Sequence, residues 1–278
     1  MQLKPLILAA AATFIAAPAL AMDLPPVVFE GQEASPLSIG QGWYIRGDFG
    51  ANYSPTMGKP SYRTYRAGTD SYTSQGFDEG RLSSDFSYGL GVGYQFTDYM
   101  RTDLTMDYFS GRFDGKSGWR NPCTPNYGTA TTSCRYESQT FGALGLMANG
   151  YIDLGTYWGI TPYLGGGAGV TYVQWSGVNQ KLSCSAAAAS DCNQINFRLA
   201  DLPGADSWRL TYALMAGMSY DLSAHTKIDL GYRLSHIGSG DMFGFSDYEQ
   251  SKGAFGAKGR DKGITRHEFR AGLRLTTW

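Results

Sequence analysis

Three groups of side chains in this 278-residue chain have types and spacings suited to chemistry. The first is Ser235-His236-Ile237-Gly238-Ser239, with Glu268 further along: hydroxyl, imidazole and carboxylate are the parts of an acyl-transfer or deacylation site. Such a site needs the nucleophile within hydrogen-bond reach of its base. Ser235 and His236 are neighbours in a run that reads as a strand, so their side chains leave opposite faces. Glu268 falls on an inward row, His225 in a short turn and His267 on an apolar row. The expectation is a chain without catalytic residues and without a cofactor or metal, not an enzyme.

The second group is Cys123, Cys134, Cys184 and Cys192. An even number in the connecting segments of an exported chain reads as disulfides. Three connectivities are open, and Cys123–Cys134 with Cys184–Cys192 is favoured because each pair is close within its own segment. Each bridge would contribute about 2–3 kcal/mol on the chain-entropy account. A zinc site would call for paired CxxC spacing or nearby histidines, and neither is present.

The third group is a set of charges spaced by two within apolar stretches: Arg46, Asp48, Arg101, Asp103, Asp107, Asp153, Arg209, Asp221, Asp229, Arg233, Glu268, Arg270 and Arg274. Both signs occur. Charges enclosed in a narrow space must pair, because an isolated buried ion is very costly. Paired, they would form a ladder of ion pairs, with glycines such as Gly165, Gly167 and Gly169 leaving room for the long arginines.

What positions these charges is a period of two. Phe86, Tyr88, Leu90, Val92, Tyr94 and Phe96 form one row, and Ser87, Gly89, Gly91, Gly93 and Gln95 the other. That is a β-strand with one apolar and one polar face. Eight such stretches are predicted: 42–53, 85–96, 100–111, 139–154, 161–173, 207–222, 226–236 and 264–277. Three connections are short: Thr97-Asp98-Tyr99, the segment 155–160, and Ser223-Ala224-His225. The other four, 54–84, 112–138, 174–206 and 237–263, are long. In an up-and-down meander, alternate connections fall at opposite ends. The chain therefore reads as all-β, an eight-stranded antiparallel transmembrane β-barrel with four long external loops and three short periplasmic turns.

An eight-stranded barrel is just wide enough inside for side chains to fill. The large apolar residues must then face lipid, among them Trp43, Ile45, Phe49, Leu104, Met106, Leu210, Leu214 and Leu230. Aromatics gather toward the strand ends, as interfacial girdles require. Trp43, Tyr94, Phe96, Tyr157, Trp158 and Tyr220 are assigned to the periplasmic rim. Tyr53, Phe86, Tyr108, Tyr172, Trp175 and Trp208 are assigned to the outer one. A charged, filled lumen argues against a small porin. The apolar rows argue against a soluble barrel with its greasy face inside.

Residues 1–21 read as a signal peptide: Lys4, an apolar run too short to cross a bilayer as a helix, and Ala19-Leu20-Ala21, with cleavage after Ala21. Residues 22–41, rich in proline, read as a flexible periplasmic lead-in, and 42–278 as the barrel. With 23 basic and 24 acidic residues, the composition gives no reason to expect nucleic acid as a partner.

Gly42-Trp43-Tyr44-Ile45-Arg46-Gly47-Asp48-Phe49-Gly50 after the proline-rich lead-in, Ile228-Asp229-Leu230-Gly231-Tyr232-Arg233, and the amphipathic stretch from His267 to Leu275 together resemble the alphaproteobacterial small outer-membrane proteins of the opacity-like β-barrel family. The resemblance implies residence in the outer membrane and a role in envelope integrity, adhesion or host recognition. It departs from the usual pattern at one place: Trp278 falls one residue out of phase with Phe269, Ala271, Leu273 and Leu275. Expected partners are outer-membrane lipid and lipopolysaccharide, the barrel-assembly machinery, and a host or surface ligand at the loops, with the chain a monomer. The loop residues suited to binding are Tyr62, Arg63, Tyr65, Arg66 and Tyr72, with Arg112, Lys116, Trp119 and Arg120 in the next loop.

Overall fold

A computed structural model describes residues 42–277, apart from 78, 85, 118–131, 137–138 and 185–197. The signal peptide, the lead-in, Cys123, Cys192, Trp119, Arg120 and Trp278 lie outside the described residues.

Eight long strands make the barrel: β1 (Gly42–Met57), β5 (Phe86–Thr97), β6 (Met100–Ser117), β8 (Gln139–Asp153), β9 (Ile160–Trp175), β12 (Asp206–Ser223), β13 (Thr226–Ile237) and β16 (Ile264–Thr276). Each pairs antiparallel with its neighbours along the chain, and β1 pairs with both β5 and β16, so the sheet closes on itself. No barrel strand is left with an open edge, which a lipid environment would not tolerate. The predicted strands lie where these strands are found, with ends shifted by a few residues. The largest extension is at β6, which runs on past Gly111 to Ser117.

Alternation sets the two faces. On β8 the burial pattern switches at every residue over the whole strand. Leu210, Leu214, Leu90 and Trp208 are among the large apolar side chains on the outer surface. The phase of β16 also holds: Phe269, Leu273 and Leu275 face out, Arg274 and Thr276 in.

The long connections carry structure of their own. Beyond β1 come β2 (Ser61–Arg66), β3 (Ser71–Gly76) and β4 (Glu79–Ser83). Beyond β6 comes β7 (Thr132–Tyr136), and beyond β9 come β10 (Val178–Cys184) and β11 (Arg198–Leu202). Beyond β13 come β14 (Gly240–Gly244), the single helical turn α1 (Asp247–Ser251) and β15 (Ala257–Asp261). β14, β15, β2 and β3 form a second sheet, with Tyr62 opposite Gly259 joining the first and last long connections. β6 continues above the barrel into β7, β10 and β11. Ser246 caps α1 in a reciprocal arrangement with Glu249, which satisfies otherwise orphaned backbone donors.

Candidate functional site: the lumen and the long-loop end

The inward rows bring the predicted charges together in the lumen. Arg46 reaches Asp48 at 2.8 Å and Asp103 at 2.9 Å. Arg101 donates to Asp153 at 3.1 Å, with its guanidinium carbon 4.1 Å from the Tyr151 ring centroid and 4.8 Å from that of Tyr163. Asp107 is a hub that accepts from Arg233 at 2.8 Å and from Arg270. Arg270 also lies 3.4 Å from Glu268, and Arg274 3.0 Å from Asp229. Tyr44, almost wholly buried, donates to the Thr102 carbonyl and to Asp103.

Four details differ from the sequence expectation. Asp221 is only half-buried at the turn end of β12 and pairs with Lys227 across the same hairpin, so it belongs to the rim and not to the ladder. Arg209 points up to Asp261 of β15, 2.7 Å away, and clamps the last long connection to the barrel wall. Arg266 was not predicted, although it shares the inward phase of Glu268. It lies 3.6 Å from Glu268 and 3.6 Å above the Phe109 ring, and donates to Asn52. The small residues of β9 make room for neighbours other than arginine. A Cβ on Gly165 would strike the Tyr151 ring, and one on Gly169 would fall 2.0 Å from the Leu146 carbonyl oxygen.

Above the charges the lumen turns apolar. Phe109, Phe113, Phe141, Val173, Trp175, Ile237 and Ile264, from the upper inward rows, pack with Tyr62, Phe77, Leu82, Val178, Leu202, Met242 and Phe243 from the connections. Trp175 and Phe141 rings lie 4.7 Å apart, and those of Tyr62 and Phe77 5.2 Å. Full burial of each such side chain stabilises by roughly 1.5–3 kcal/mol. Two sequence assignments are corrected here. Trp175 is 2% exposed and belongs to this cluster, not to the outer aromatic girdle, because β9 turns it inward. Tyr62 is buried in the same cluster and is not a surface contact. The other rim aromatics lie on the outside or partly so, with Trp43 against Tyr94 at 5.3 Å and Tyr172 against Trp208 at 5.2 Å.

Outside the cluster, the long-loop end presents an ordered polar and aromatic surface. Arg63 bonds the Ala257 carbonyl and lies 4.9 Å over Tyr72 and 5.5 Å over Phe245. Tyr65 donates to Asp70 and to the Lys252 carbonyl. Tyr248 and Phe255 stand about 70% exposed (72% and 71%), and Arg66 and Arg112 are exposed too. Below them Asp261 accepts from Arg209 and from the Gly263 amide, and burial nevertheless raises its carboxyl above the ordinary value against the pull of Arg209.

The serine–histidine group does not assemble. Ser235 is buried on the inward face, whereas His236 is on the outer face with Nδ1 2.9 Å from Thr265 Oγ1. Glu268 is fully buried among Arg266, Arg270 and Ser87. His225 sits in the β12–β13 turn. For the cysteines, the backbone register sets Cys134 opposite Leu182 and Cys184 opposite Thr132, which brings the second and third long connections together. Among the described residues there is no cluster of metal-binding side chains.

A closed eight-stranded barrel with an apolar exterior, a charged interior and all its long connections at one end is the architecture of a small integral outer-membrane protein. The chain belongs to the outer membrane protein beta-barrel domain family, whose model matches residues 7–272. It is 37% identical over 250 residues to an uncharacterized protein of Brucella abortus, covering 84% of each chain. An uncharacterized protein of Brucella suis is 36% identical over 250 residues, again with 84% of each covered. Among solved structures it is similar to the Neisserial surface protein A, at 16% identity and a TM-score of 0.39, covering 84% of this chain and 96% of that one. The protein resides in the outer membrane of the cell; barrels of this kind carry their longer loops on the outer side and their short turns on the periplasmic side.

Proposed function

We propose that this is a non-enzymatic, non-conducting barrel whose folded external end makes contact with a surface ligand. One observation carries the reading: the interior is closed twice, by ion pairs and by the aromatic cluster above them, while the structure spent on the loops builds an outer face with Tyr248 and Phe255 uncovered. Arg63 donates to the Phe255 carbonyl and lies over Tyr72, which packs against the Phe255 ring, and aromatic residues with arginine are the types enriched in binding surfaces. A porin needs an aqueous path, and against that reading stand the ion pairs and the aromatic cluster that fill the lumen among the described residues. An acyl-transfer enzyme needs a nucleophile beside its base, and Ser235 and His236 face opposite ways.

The test uses whole cells displaying the wild-type chain or Tyr248→Ser/Phe255→Ser. Binding to immobilised extracellular-matrix proteins and to cultured host cells should fall in the variant, with unchanged heat-modifiable migration. Purified protein should give no steady channels in planar bilayers. Equal binding by the two chains would remove the surface-contact reading, and stable conductance from the monomer would replace it with the porin.

A further inference from the structure

The external rim carries one group of polar and basic residues on the face that meets lipid. His236 of β13 and His267 of β16 both point outward, and they are diagonal neighbours, because Thr265 lies opposite His236 and Leu234 opposite His267. A Cβ on Gly263 would lie 2.9 Å from His236 Nε2, which sets that edge of the ring against Gly263, the residue that follows Lys262. Lys262 in turn abuts Gly58: a Cβ there would fall 2.8 Å from the Lys262 Cβ, and the Gly58 amide donates to the Gly263 carbonyl at 3.0 Å. Lys59 follows, exposed, as is Lys262.

We propose that Lys59, Lys262, His236 and His267 form a site for the phosphoryl groups of an outer-leaflet glycolipid. The inference is independent of any ligand at the apex and rests on the outer-membrane location alone.

Position is the first argument. Trp43 marks the periplasmic rim of β1, and Tyr53, which lies opposite His267, is about ten residues further up the strand, the length that crosses the hydrocarbon core at a barrel tilt. The two imidazoles therefore sit at the upper edge of the apolar layer, and the lysines just above it. That is the level of the sugar-phosphate headgroups, where lysine stems lie along apolar surface with the ammonium in the polar layer.

The second argument is donor geometry. Thr265 Oγ1 meets His236 Nδ1, and the Tyr232 hydroxyl meets His267 Nδ1. In the tautomer that carries its proton on Nε2, each imidazole accepts the hydroxyl proton at Nδ1 and has one N–H left to donate. Two ammonium groups and two such donors suit a phosphate, which accepts several charge-assisted hydrogen bonds.

Charge complementarity is the third. Neither lysine has an ion-pair partner among the described residues, and the sequence has no carboxylate from Tyr53 to Lys59 or from Lys262 to His267. The acids that flank Lys262 and His267 in the chain are already committed: Asp261 to Arg209, and Glu268 to Arg266 and Arg270.

The experiment compares the wild-type chain with Lys59→Gln/Lys262→Gln, His236→Gln/His267→Gln, and Lys252→Gln at the apex as control. Each is placed in phosphatidylcholine nanodiscs containing bisphosphorylated lipid A, then released into detergent, and the lipid A retained is counted by native mass spectrometry. The wild type and the control should retain it. The lysine pair should lower affinity at least about tenfold, as expected for loss of charge-assisted bonds, and lipid A stripped of its phosphates should bind the wild type no better than intact lipid A binds that variant. Equal retention by all chains, or equal retention of phosphate-free lipid A, would overturn the proposal. Displacement by inorganic phosphate at millimolar concentration would overturn the lipid as its source. Should a double variant lose heat-modifiable migration, ¹⁵N spectra of the wild type decide between the outcomes: the Nε2 signals of His236 and His267 must move on adding lipid A, and stationary signals refute the site.

Discussion

Asp107→Ala is the sharpest test of the lumen. Asp107 is buried and accepts from two guanidinium groups at once, Arg233 at 2.8 Å and Arg270. The two arginines do not lose equally. Arg270 keeps Glu268 at 3.4 Å and Asp48 at 3.9 Å, whereas Arg233 keeps the sulfur of Met147 as its direct partner, with the carboxylate of Glu268, opposite it in the sheet, beyond ion-pair distance and already shared by Arg266 and Arg270. The substitution thus leaves about one uncompensated buried charge, and breaking a buried pair in this way costs about 3–5 kcal/mol. With a urea slope of about 2 kcal/mol/M for a small protein, the unfolding midpoint should fall by roughly 1.5–2.5 M. The assay is urea unfolding of the barrel in lipid vesicles, followed by the heat-modifiable gel shift and by tryptophan fluorescence. Asp107→Leu/Arg233→Met, which removes both charges and keeps the volume, should recover most of the loss. A midpoint for Asp107→Ala within about 0.3 M of wild type would refute the reasoning, since it would mean that Arg233 is as well solvated without its partner as with it.

Three further outcomes are expected. Gly169→Ala should abolish the folded band on gels, because its Cβ would sit 2.0 Å from a backbone carbonyl oxygen, whereas Gly150→Ala, with nothing within 4 Å, should fold as wild type. Trp175→Ala, which empties the middle of the external cluster, should cost about 3–5 kcal/mol in the same urea assay and still give no channel, because the ion pairs beneath it stay in place. The Asp261 carboxyl, followed by ¹³C NMR in the folded protein, should titrate above its ordinary value of 3.8. Its stabilising contribution is then complete below that value and is lost as pH rises through the folded one, and a midpoint below 3.8 would show that Arg209 outweighs burial.

The barrel was legible because its rule is local. Alternation along β5 or β8 needs only neighbouring residues to be seen, and the short turns fix which ends lie together. The pairing inside the lumen was legible in kind and not in detail: that Arg46 and Asp103 share an inward face follows from phase, but that Arg209 looks up to Asp261 depends on where β15 packs. Arg266 carried the same phase as Glu268 and was readable from it. The external sheet was hidden for a different reason. Tyr62 has the alternation of a strand, but its partner Gly259 is at the far end of the chain, and nothing in either segment names the other. Trp175 was misplaced for the same cause: β9 outruns the bilayer, and above it the inward face belongs to the loops.

One contact has a bearing on how the molecule is completed. The strands at the two ends of the barrel, β1 and β16, are joined along the seam from Tyr44–Thr276 to Met57–Ile264, and β2 and β15 are joined directly above it. The upper stitch draws on the same two flanks of the chain as the lower one, so pairing at either level brings the partners of the other level close and lowers the cost of joining them. The face that bears Tyr248 and Phe255 is hung on the upper stitch, so its shape depends on a join between the first and last long connections. An antibody or ligand that recognises this face would therefore report that the two flanks of the chain have met.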